Sequence, residues 1–356
     1  MNQPTTAAEL VDIAVSIHDI YIAAAVFSMA NHFEQLALER VMFAKRRDAL
    51  RLASWERTPV AVLQALSNCS DEAVQLRLAK RQSIRNKKFI NNEANHLNVF
   101  EPVLELVQQA KDTSLPLSMF ETLVFHKDAA VRARVAENTA LPAKYLSIFV
   151  VDKSAAVRRA LATRLDIDTD IMSQLSTDSD DWVRQRLGRN PALSIALMQQ
   201  LATDDVDEVR RVITRNKSCP IKLLEQLATD KCAWVRAGVA YQVSASSNLM
   251  RRLANETDVD VLSGVASNPN TPASILMLLA KHEDADVRRG VILNPKARRL
   301  TLQQLLQDPY YLHRILLVGH PKLTQSDKWS LHDDPDYRVR FLVFKWFADG
   351  LEKHAL

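Results

Sequence analysis

Glycine and cysteine are scarce in this chain of 356 residues, which contains 6 Gly and 3 Cys. No GxG pair and no GxxxxGKS or GxxxxGKT string occurs. This excludes the common glycine-rich nucleotide loops, which need glycine where the backbone approaches phosphate closely. Cys69, Cys219 and Cys232 include no CxxC spacing and cannot all pair. We therefore expect a reducing compartment, with neither a disulfide framework nor a cysteine-bound cluster.

Long apolar runs are also missing. The most apolar stretch, Ile20 to Ala30, is too short to cross a bilayer. The N-terminus lacks the order of basic and then apolar residues that is typical of a secretion signal. Apolar residues make up 47% of the chain and charged residues 25%, with a formal net charge of +4, as in ordinary soluble globular proteins. The sequence thus predicts a soluble cytoplasmic protein without a membrane partner.

A repeat of 26 residues is the strongest feature that the sequence does have. Arginine follows the repeated valine in every repeat but one, where Leu262 stands instead. An aliphatic residue stands four positions after each valine, and Asn, Gln or Arg stands seven positions after it. Self-similarity at a fixed period indicates a repeat architecture rather than two or three separate domains. The anchor valines are Val131, Val157, Val183, Val209, Val235, Val261 and Val287.

Each repeat is predicted to form two short helices. The anchor valine and the aliphatic residue at plus four share one helical face, which assigns both to the core. The residue at plus seven, often followed by proline, is expected to end this first helix. The second helix is expected to start near Pro142, Pro220 or Pro272. An acid five residues before the valine is expected to cap the first helix. These acids are Asp152, Asp178, Asp204, Asp230 and Glu256.

The repeat extends outward from this centre, because one pair of helices cannot bury its apolar face alone and must stack on others. Arg51 to Val74 aligns without a gap on Gly264 to Val287. The register slips by five residues between Val74 and Val131, and the polar run 85–96 is predicted to be a loop insertion. The predicted domains are an N-terminal helical cap at 1–47, a repeat region at 48–340 and a C-terminal cap at 341–356.

This repeat resembles a known family. The strings SNPNTPASILMLLA and DADVRRGVILNP are similar to leucine-rich repeat variants, which are relatives of HEAT repeats, and the resemblance covers residues 48–340. It implies an all-α fold, a right-handed α-solenoid of two-helix repeats whose second helix is sometimes 3₁₀. Some members carry an N-terminal cysteine cluster that binds iron and sulfur, but this chain lacks that cluster. No cofactor is therefore expected, and a fold by itself does not determine a function.

No group of residues predicts catalysis or a metal site. The nine histidines are scattered, and His313 and His320 stand seven residues apart in a weak repeat, whereas a metal needs several convergent ligands. Acid pairs such as Asp180-Asp181 fall at predicted helix starts, where capping explains them. Another column, three positions after the anchor valine, contains glycine in the last three of these repeats, which predicts close packing of neighbouring repeats there. These glycines are Gly238, Gly264 and Gly290.

The arginines fall into two sets according to their angle on the first helix. The arginine directly after each anchor valine, such as Arg184 or Arg210, lies on the flank that faces the next repeat. We expect each of these plus-one arginines to bond an acid of the adjacent turn, as related HEAT repeats do. Arginines two and six positions after the valine point away from the core and are expected to find no partner in a neighbouring repeat.

These outward positions form the candidate partner-binding site. In HEAT-like solenoids the first helix usually lines the concave surface, so the resemblance implies a basic and aromatic groove. Arginine forks suit phosphate or carboxylate, and indole faces suit base stacking or a cation. The alternative is a solvated helix face, since acids such as Asp260 and Asp286 stand on the same side. The candidate residues are Arg159, Trp182, Arg189, Arg211, Arg215, Trp234, Tyr241 and Arg289.

Two functions of different classes fit this pattern. The leading hypothesis is a non-enzymatic scaffold or adaptor that binds a protein partner in the groove, because solenoids offer extended concave surfaces and Tyr, Trp and Arg are enriched at binding hot spots. The alternative is nucleic-acid binding, in a layout similar to HEAT-like DNA alkylation-repair glycosylases, although no catalytic Asp of that family maps onto a motif here. A basic stripe wide enough for a duplex would favour nucleic acid, and a groove of mixed charge would favour protein.

Overall fold

The computed structural model describes residues 1–68, 71–90 and 101–354, and every regular element in these ranges is helical. The chain forms two compact units, a terminal unit of Met1–His96 with Arg298–Leu356 and a central unit of Leu97–Ala297. The all-α class is thereby confirmed. None of the helices in these ranges is long and apolar enough to cross a membrane.

The terminal unit takes helices from both ends of the chain. Its N-terminal helices are α1 (Ala7–Ile17), α2 (Ile20–Val26), α3 (His32–Phe43), α4 (Arg46–Ser54), α5 (Val60–Ser67) and α6 (Glu72–Ile90). The central unit follows with α7 (Glu101–Gln109), α8 (Leu117–Leu123), α9 (Ala129–Glu137), α10 (Leu146–Val150), α11 (Ala155–Ala162), α12 (Thr169–Ser176), α13 (Asp181–Gly188) and α14 (Ile195–Leu201). It continues with α15 (Asp207–Thr214), α16 (Ile221–Leu227), α17 (Ala233–Ala240), α18 (Ser247–Leu253), α19 (Val259–Ser267), α20 (Ala273–Leu279) and α21 (Ala285–Leu293). The remaining helices of the terminal unit are α22 (Arg299–Gln304), α23 (Tyr311–Val318), α24 (Gln325–Trp329) and α25 (Tyr337–His354), and short 3₁₀ turns lie at Phe27–Met29, Ala143–Tyr145 and Leu305–Gln307.

The central unit is an α-solenoid of two-helix repeats. All seven anchor valines are fully buried, and so are all seven aliphatic residues four positions later, as the shared helical face predicts. The first helices of consecutive repeats pack side by side in the order α9, α11, α13, α15, α17, α19 and α21. Pro220 and Pro272 stand directly before the second helices α16 and α20, and Pro142 precedes the 3₁₀ turn Ala143–Tyr145. The predicted repeat is thus confirmed.

The plus-one arginines form a ladder of ion pairs between repeats. Arg158 binds Asp178 and Arg184 binds Asp204, each with an Nε–Oδ2 distance of 2.6 Å. A second nitrogen of each guanidinium donates to the carbonyl oxygen six residues earlier, which for Arg184 is that of Asp178. The same pairing joins Arg132 to Asp152, Arg210 to Asp230, Arg236 to Glu256 and, in the terminal unit, Arg314 to Asp334. The prediction that these arginines bond an acid of the adjacent turn is confirmed.

The acids of this ladder do not cap helices, and that part of the prediction is wrong. Asp178 accepts a bond from the backbone N–H of Asp180, two residues on, which lies outside the first turn of α13. The cap is Asp180 itself, three residues before the anchor valine, which accepts from the N–H of Val183. An Asp readily bonds the backbone two residues ahead, and this turn presents its carboxylate to the arginine of the preceding repeat.

The column at plus seven ends the first helix, and its side chain also joins repeats. Asn216 donates from its amide to the carbonyl oxygens of Gly188 and Asn190, each at 2.9 Å. Asn268 and Asn294 make the equivalent pair of bonds to the repeat before them. These amides satisfy buried carbonyl groups that the end of a helix leaves without partners. The role of the column in binding the preceding repeat was not predicted.

Glycine allows the close approach that its column predicts. A Cβ at Gly264 would lie 2.6 Å from the Cβ of Ala240, and one at Gly238 would lie 2.3 Å from the Oγ1 of Thr214. Real Cβ atoms do not approach other atoms so closely, so a side chain at either position would push neighbouring first helices apart.

One predicted loop is partly helical. Helix α6 continues to Ile90, which contradicts the loop prediction for 85–90, while 91–96 lies outside the described residues. Arg85, Asn86, Lys87 and Lys88 contain no glycine or proline to end the helix, and arginine and lysine are good helix formers. The division into caps at 1–47 and 341–356 stays a prediction, although α2 packs directly against α25 in the terminal unit.

Candidate binding face

Helices α13, α15 and α17 expose the large side chains of the candidate site. Trp182 is 54% exposed, Trp234 is 45% exposed and Tyr241 is 52% exposed. Arg189 and Arg215 are also exposed, each at the C-terminal cap of its helix. An indole or phenol ring that leaves about half its surface in water contributes little to a core, so these rings belong to the surface of the central unit.

Arg211 lies against the indole of the next repeat. Its guanidinium carbon is 4.1 Å from the centre of the Trp234 ring, which is a cation–π distance. Its stem passes over α17 at Gly238, where a Cβ would lie 3.4 Å from the Cγ of Arg211. The Nε of Arg211 is buried and has no hydrogen-bond partner in the described part of the chain. A buried donor without a hydrogen-bond partner lowers the stability of the fold, so Arg211 keeps an unsatisfied hydrogen-bond donor at this position.

Three arginines repel one another on this face. Burial lowers the pKa of Arg211, and the positive charges of Arg215 and Arg189 lower it further. Burial also lowers the pKa of Arg189, and Arg186 and Arg215 add to that effect. None of Arg189, Arg211 and Arg215 forms an ion pair with a described residue, whereas Arg184 and Arg210 on the same helices each bind an aspartate.

Arg159 departs from the prediction for its class. It was expected to find no partner in a neighbouring repeat, yet it donates to both carboxylate oxygens of Asp180, at 3.0 Å and 2.7 Å. Its guanidinium also lies 5.8 Å from the ring centre of Trp182. The side chain is long enough to reach across to the helix cap of the next repeat, which the angular argument ignored. The charge of Arg159 is therefore already neutralised by Asp180.

Acidic side chains border the aromatic end of the face. Burial raises the pKa of Tyr241, and the negative charges of Asp260 and Asp286 raise it further, while Arg211 opposes them. The negative charges of Glu208 and Asp260 also reach Arg211, where they oppose the lowering of its pKa. The face therefore carries both signs of charge. The structure brings together Arg189, Arg211, Arg215, Trp234 and Tyr241, and it leaves Arg289 as an exposed residue on α21 without a described contact to them.

Sequence reasoning missed Arg186 and Cys232. Arg186 stands three positions after its anchor valine and adds positive charge beside Arg189. Cys232 precedes α17 at the position where Asp180 precedes α13, and its Sγ lies 3.2 Å from Asp207 Oδ2. A comparison of the cap column, three residues before each valine, would have shown this exchange of acid for thiol.

The described residues hold no group of three or more His, Cys, Asp and Glu side chains arranged to bind a metal. His313 is buried beside Asp308, with its Nδ1 3.1 Å from Oδ2. Cys219 and Cys232 are free thiols, and Cys69 lies outside the described residues.

No protein-family model matches the chain, and no curated protein matches it. Among solved structures it is similar to one titled a leucine-rich repeat variant with a novel repetitive protein structural motif. The two are 24% identical, the match covers 65% of this chain and 94% of that chain, and the TM-score is 0.49. The chain resembles a leucine-rich repeat variant. The repeat architecture itself rests on the buried valines and the bonds between repeats described above.

Proposed function

We propose that the chain is a non-enzymatic scaffold that binds a partner protein on the binding face, defined by Arg189, Arg211, Arg215, Trp234 and Tyr241. One observation carries the proposal. The three arginines lie together without a carboxylate partner in the described ranges, while the plus-one arginines of the same helices are paired. Charges left unpaired against one another cost stability, so a partner that supplies the missing negative charge would be bound favourably.

The mixed charge of the face favours a protein over a nucleic acid. Glu208, Asp260 and Asp286 lie close enough to act on Arg211 or Tyr241, and they would repel a continuous phosphate backbone. Exposed tryptophan, tyrosine and arginine are the side chains enriched at the energetic centres of protein interfaces. A partner with a compact acidic group and an apolar or basic flank complements this arrangement.

Site-specific photocrosslinking in the native cells tests the proposal. A photoreactive residue at Tyr241 reports on the binding face, and one at Leu278 on the exposed side of α20 serves as the control position. We expect a defined protein to crosslink at 241 and not at 278. The double reversal Arg211→Glu with Arg215→Glu should abolish that product, while Lys222→Glu with Arg251→Glu, on the second helices, should leave it unchanged. Equal products at 241 and 278, or no effect of the first double reversal, would contradict the proposal.

A salt titration checks the nucleic-acid alternative. Fluorescence anisotropy with labelled single-stranded and duplex DNA, and with the same sequences as RNA, should show no saturable binding at low salt. Phosphate-driven binding would weaken steeply between about 50 and 200 mM salt. If such binding is observed and is lost in the Arg211→Glu with Arg215→Glu variant, the ligand of this face is a nucleic acid rather than a protein.

A further inference from the structure

We infer that Arg189, Arg211 and Arg215, the arginine triad, form a preformed receptor for an oxyanion on an acidic peptide segment of the partner, a side-chain carboxylate or phosphate. The inference rests on the proposed function and names the chemistry of its ligand. Arg211 and Arg215 stand four residues apart at the end of α15, and Arg189 occupies the position of Arg215 one repeat earlier. Helices α13 and α15, which carry these arginines, pack directly against each other.

An occupied version of the same arrangement lies two repeats earlier, in the repeat of Val157. Arg159, like Arg211, stands two positions after its anchor valine and faces a tryptophan of the next repeat, 23 residues on. The carboxylate of Asp180 binds the Arg159 guanidinium with both oxygens. This internal carboxylate shows which group an arginine beside a tryptophan at these positions takes.

At Arg211 that internal carboxylate is missing. The cap position of α17 carries Cys232 in place of an aspartate, and Cys232 makes no side-chain cap bond to its own helix. The Cys232 thiol faces Asp207. The residue equivalent to Asp207 two repeats earlier is Ala155. The exchange leaves the guanidinium on Trp234 without a counterion. A carboxylate or phosphate from another molecule can take the place that Asp180 fills for Arg159.

The surroundings restrict the ligand to a compact anion on a peptide. The indole of Trp234 covers one side of Arg211, and such cover strengthens an ion pair by excluding water. Glu208 and Asp260 act on Arg211 from nearby, so the positive region ends after the triad and Arg186. One or two oxyanion groups fit a region of this extent, and a long run of phosphates does not.

The double variant Asp207→Ala with Cys232→Asp tests the inference by copying Ala155 and Asp180 into the next pair of repeats. The new aspartate should bind Arg211 from within and compete with any external oxyanion. The probes are three blocked hexapeptides of one sequence frame, containing glutamate, phosphoserine or glutamine. Isothermal titration should show the glutamate or the phosphoserine peptide binding the wild-type chain, and the glutamine peptide at least about tenfold more weakly.

We expect the double variant and Arg211→Gln each to bind the anionic peptide at least about tenfold more weakly than the wild-type chain does. Arg159→Gln is the matched control and should change the affinity by less than about twofold, because its site is already filled. A tighter glutamate peptide identifies carboxylate as the source, and a tighter phosphoserine peptide identifies phosphate. Equal binding to the wild-type chain and the double variant would overturn the inference, as would equal affinity for the glutamine peptide.

Arginine modification gives a second measurement that needs no ligand. Unpaired Arg211 and Arg215 should react with phenylglyoxal at least severalfold faster than the paired Arg159 and Arg184, as mapped by mass spectrometry, and the double variant should protect Arg211. Equal reaction rates for the unpaired and the paired arginines would overturn the inference that the triad lacks a counterion. A protein crosslinked at 241 together with failure of the peptides would leave the proposed function standing and remove only the receptor.

Discussion

Asp19 accepts two hydrogen bonds from the guanidinium of Arg340, which stands 321 positions later in the chain. Arg340 also donates to the carbonyl oxygen of Asp334, six residues earlier, like the plus-one arginines of the repeats. In the repeats the acid comes 20 residues after the arginine, whereas the acid bound by Arg340 belongs to the N-terminal segment. The N-terminal cap residue of α2 supplies this acid, and α2 packs directly on α25.

Breaking this pair should loosen both ends of the chain. Arg340→Gln should lower the free energy of unfolding by about 1–3 kcal/mol, because Asp19 would keep a largely buried charge with weaker partners. Arg338→Gln, whose own partner Asp336 lies two residues away, is the nearby control and should change stability far less. Urea denaturation and hydrogen exchange at α2 check this. Unchanged exchange at α2 in Arg340→Gln would mean that the pair does not hold the two ends.

Paired and unpaired arginines on α15 should differ in their effect on stability. Arg210→Ala removes a nearly buried bidentate pair with Asp230 and should cost about 1–3 kcal/mol. Arg215→Ala should stay within about 0.5 kcal/mol, since the residue is exposed and its loss relieves repulsion with Arg211 and Arg189. Urea midpoints at constant m-value measure both. Equal shifts in the two variants would show that the sorting of arginines into structural and binding sets is wrong.

The glycine column should tolerate no side chain at the closest approach between helices. Gly238→Ala should destabilise the fold by about 1–3 kcal/mol, because its Cβ would displace Thr214 and the stem of Arg211. Gly350→Ala lies in α25 with nothing within 4 Å, and it should stabilise by up to about 1 kcal/mol through helix propensity. Thermal unfolding of the two variants compares them directly, and a stabilising Gly238→Ala would contradict the packing described.

Two tryptophans should respond differently to truncation. Trp182 is 54% exposed, so Trp182→Ala should cost no more than about 1 kcal/mol. Trp329 is 5% exposed and packs against Phe344 and Phe347, so Trp329→Ala should cost about 3–5 kcal/mol. Val209→Asp, which places a charge at a fully buried anchor, should be severely destabilising. A large loss in Trp182→Ala would place that ring in the core and remove it from the face.

The ion-pair ladder should make stability depend on acid pH. Burial alone would raise the pKa of Asp204, but the hydrogen bonds and charge of Arg184 hold it below its ordinary value of 3.8, and Arg210 does the same for Asp230. Groups whose pKa is lower in the folded state stabilise it above the unfolded-state pKa, and that stability is lost as pH falls through the folded value. Unfolding free energies should therefore fall from about pH 4 downward. Asp204→Asn should flatten this slope and lower stability at pH 7; an unchanged slope would contradict the ladder's role.

The sequence by itself determined the periodic part of this protein. A fixed spacing places the anchor valine, its plus-four partner and the plus-one arginine at the same angle in every repeat, so Val209, Ile213 and Arg210 were assigned from helical geometry alone. The close packing at Gly238, Gly264 and Gly290 followed from the same reasoning, because these glycines occupy one position of the repeat. These features could be predicted because each repeat packs against another repeat with the same pattern.

Only the tertiary structure decided which polar groups meet. The reach of a long side chain depends on its rotamers, so the bond from Arg159 to Asp180 and the stacking of Arg211 on Trp234 do not follow from angles on one helix. The acids before each valine, such as Asp178, proved to bind the preceding repeat because a turn directs the carboxylate backwards. The contact of Asp19 with Arg340 joins opposite ends of the sequence, and no periodicity within the chain relates those two positions.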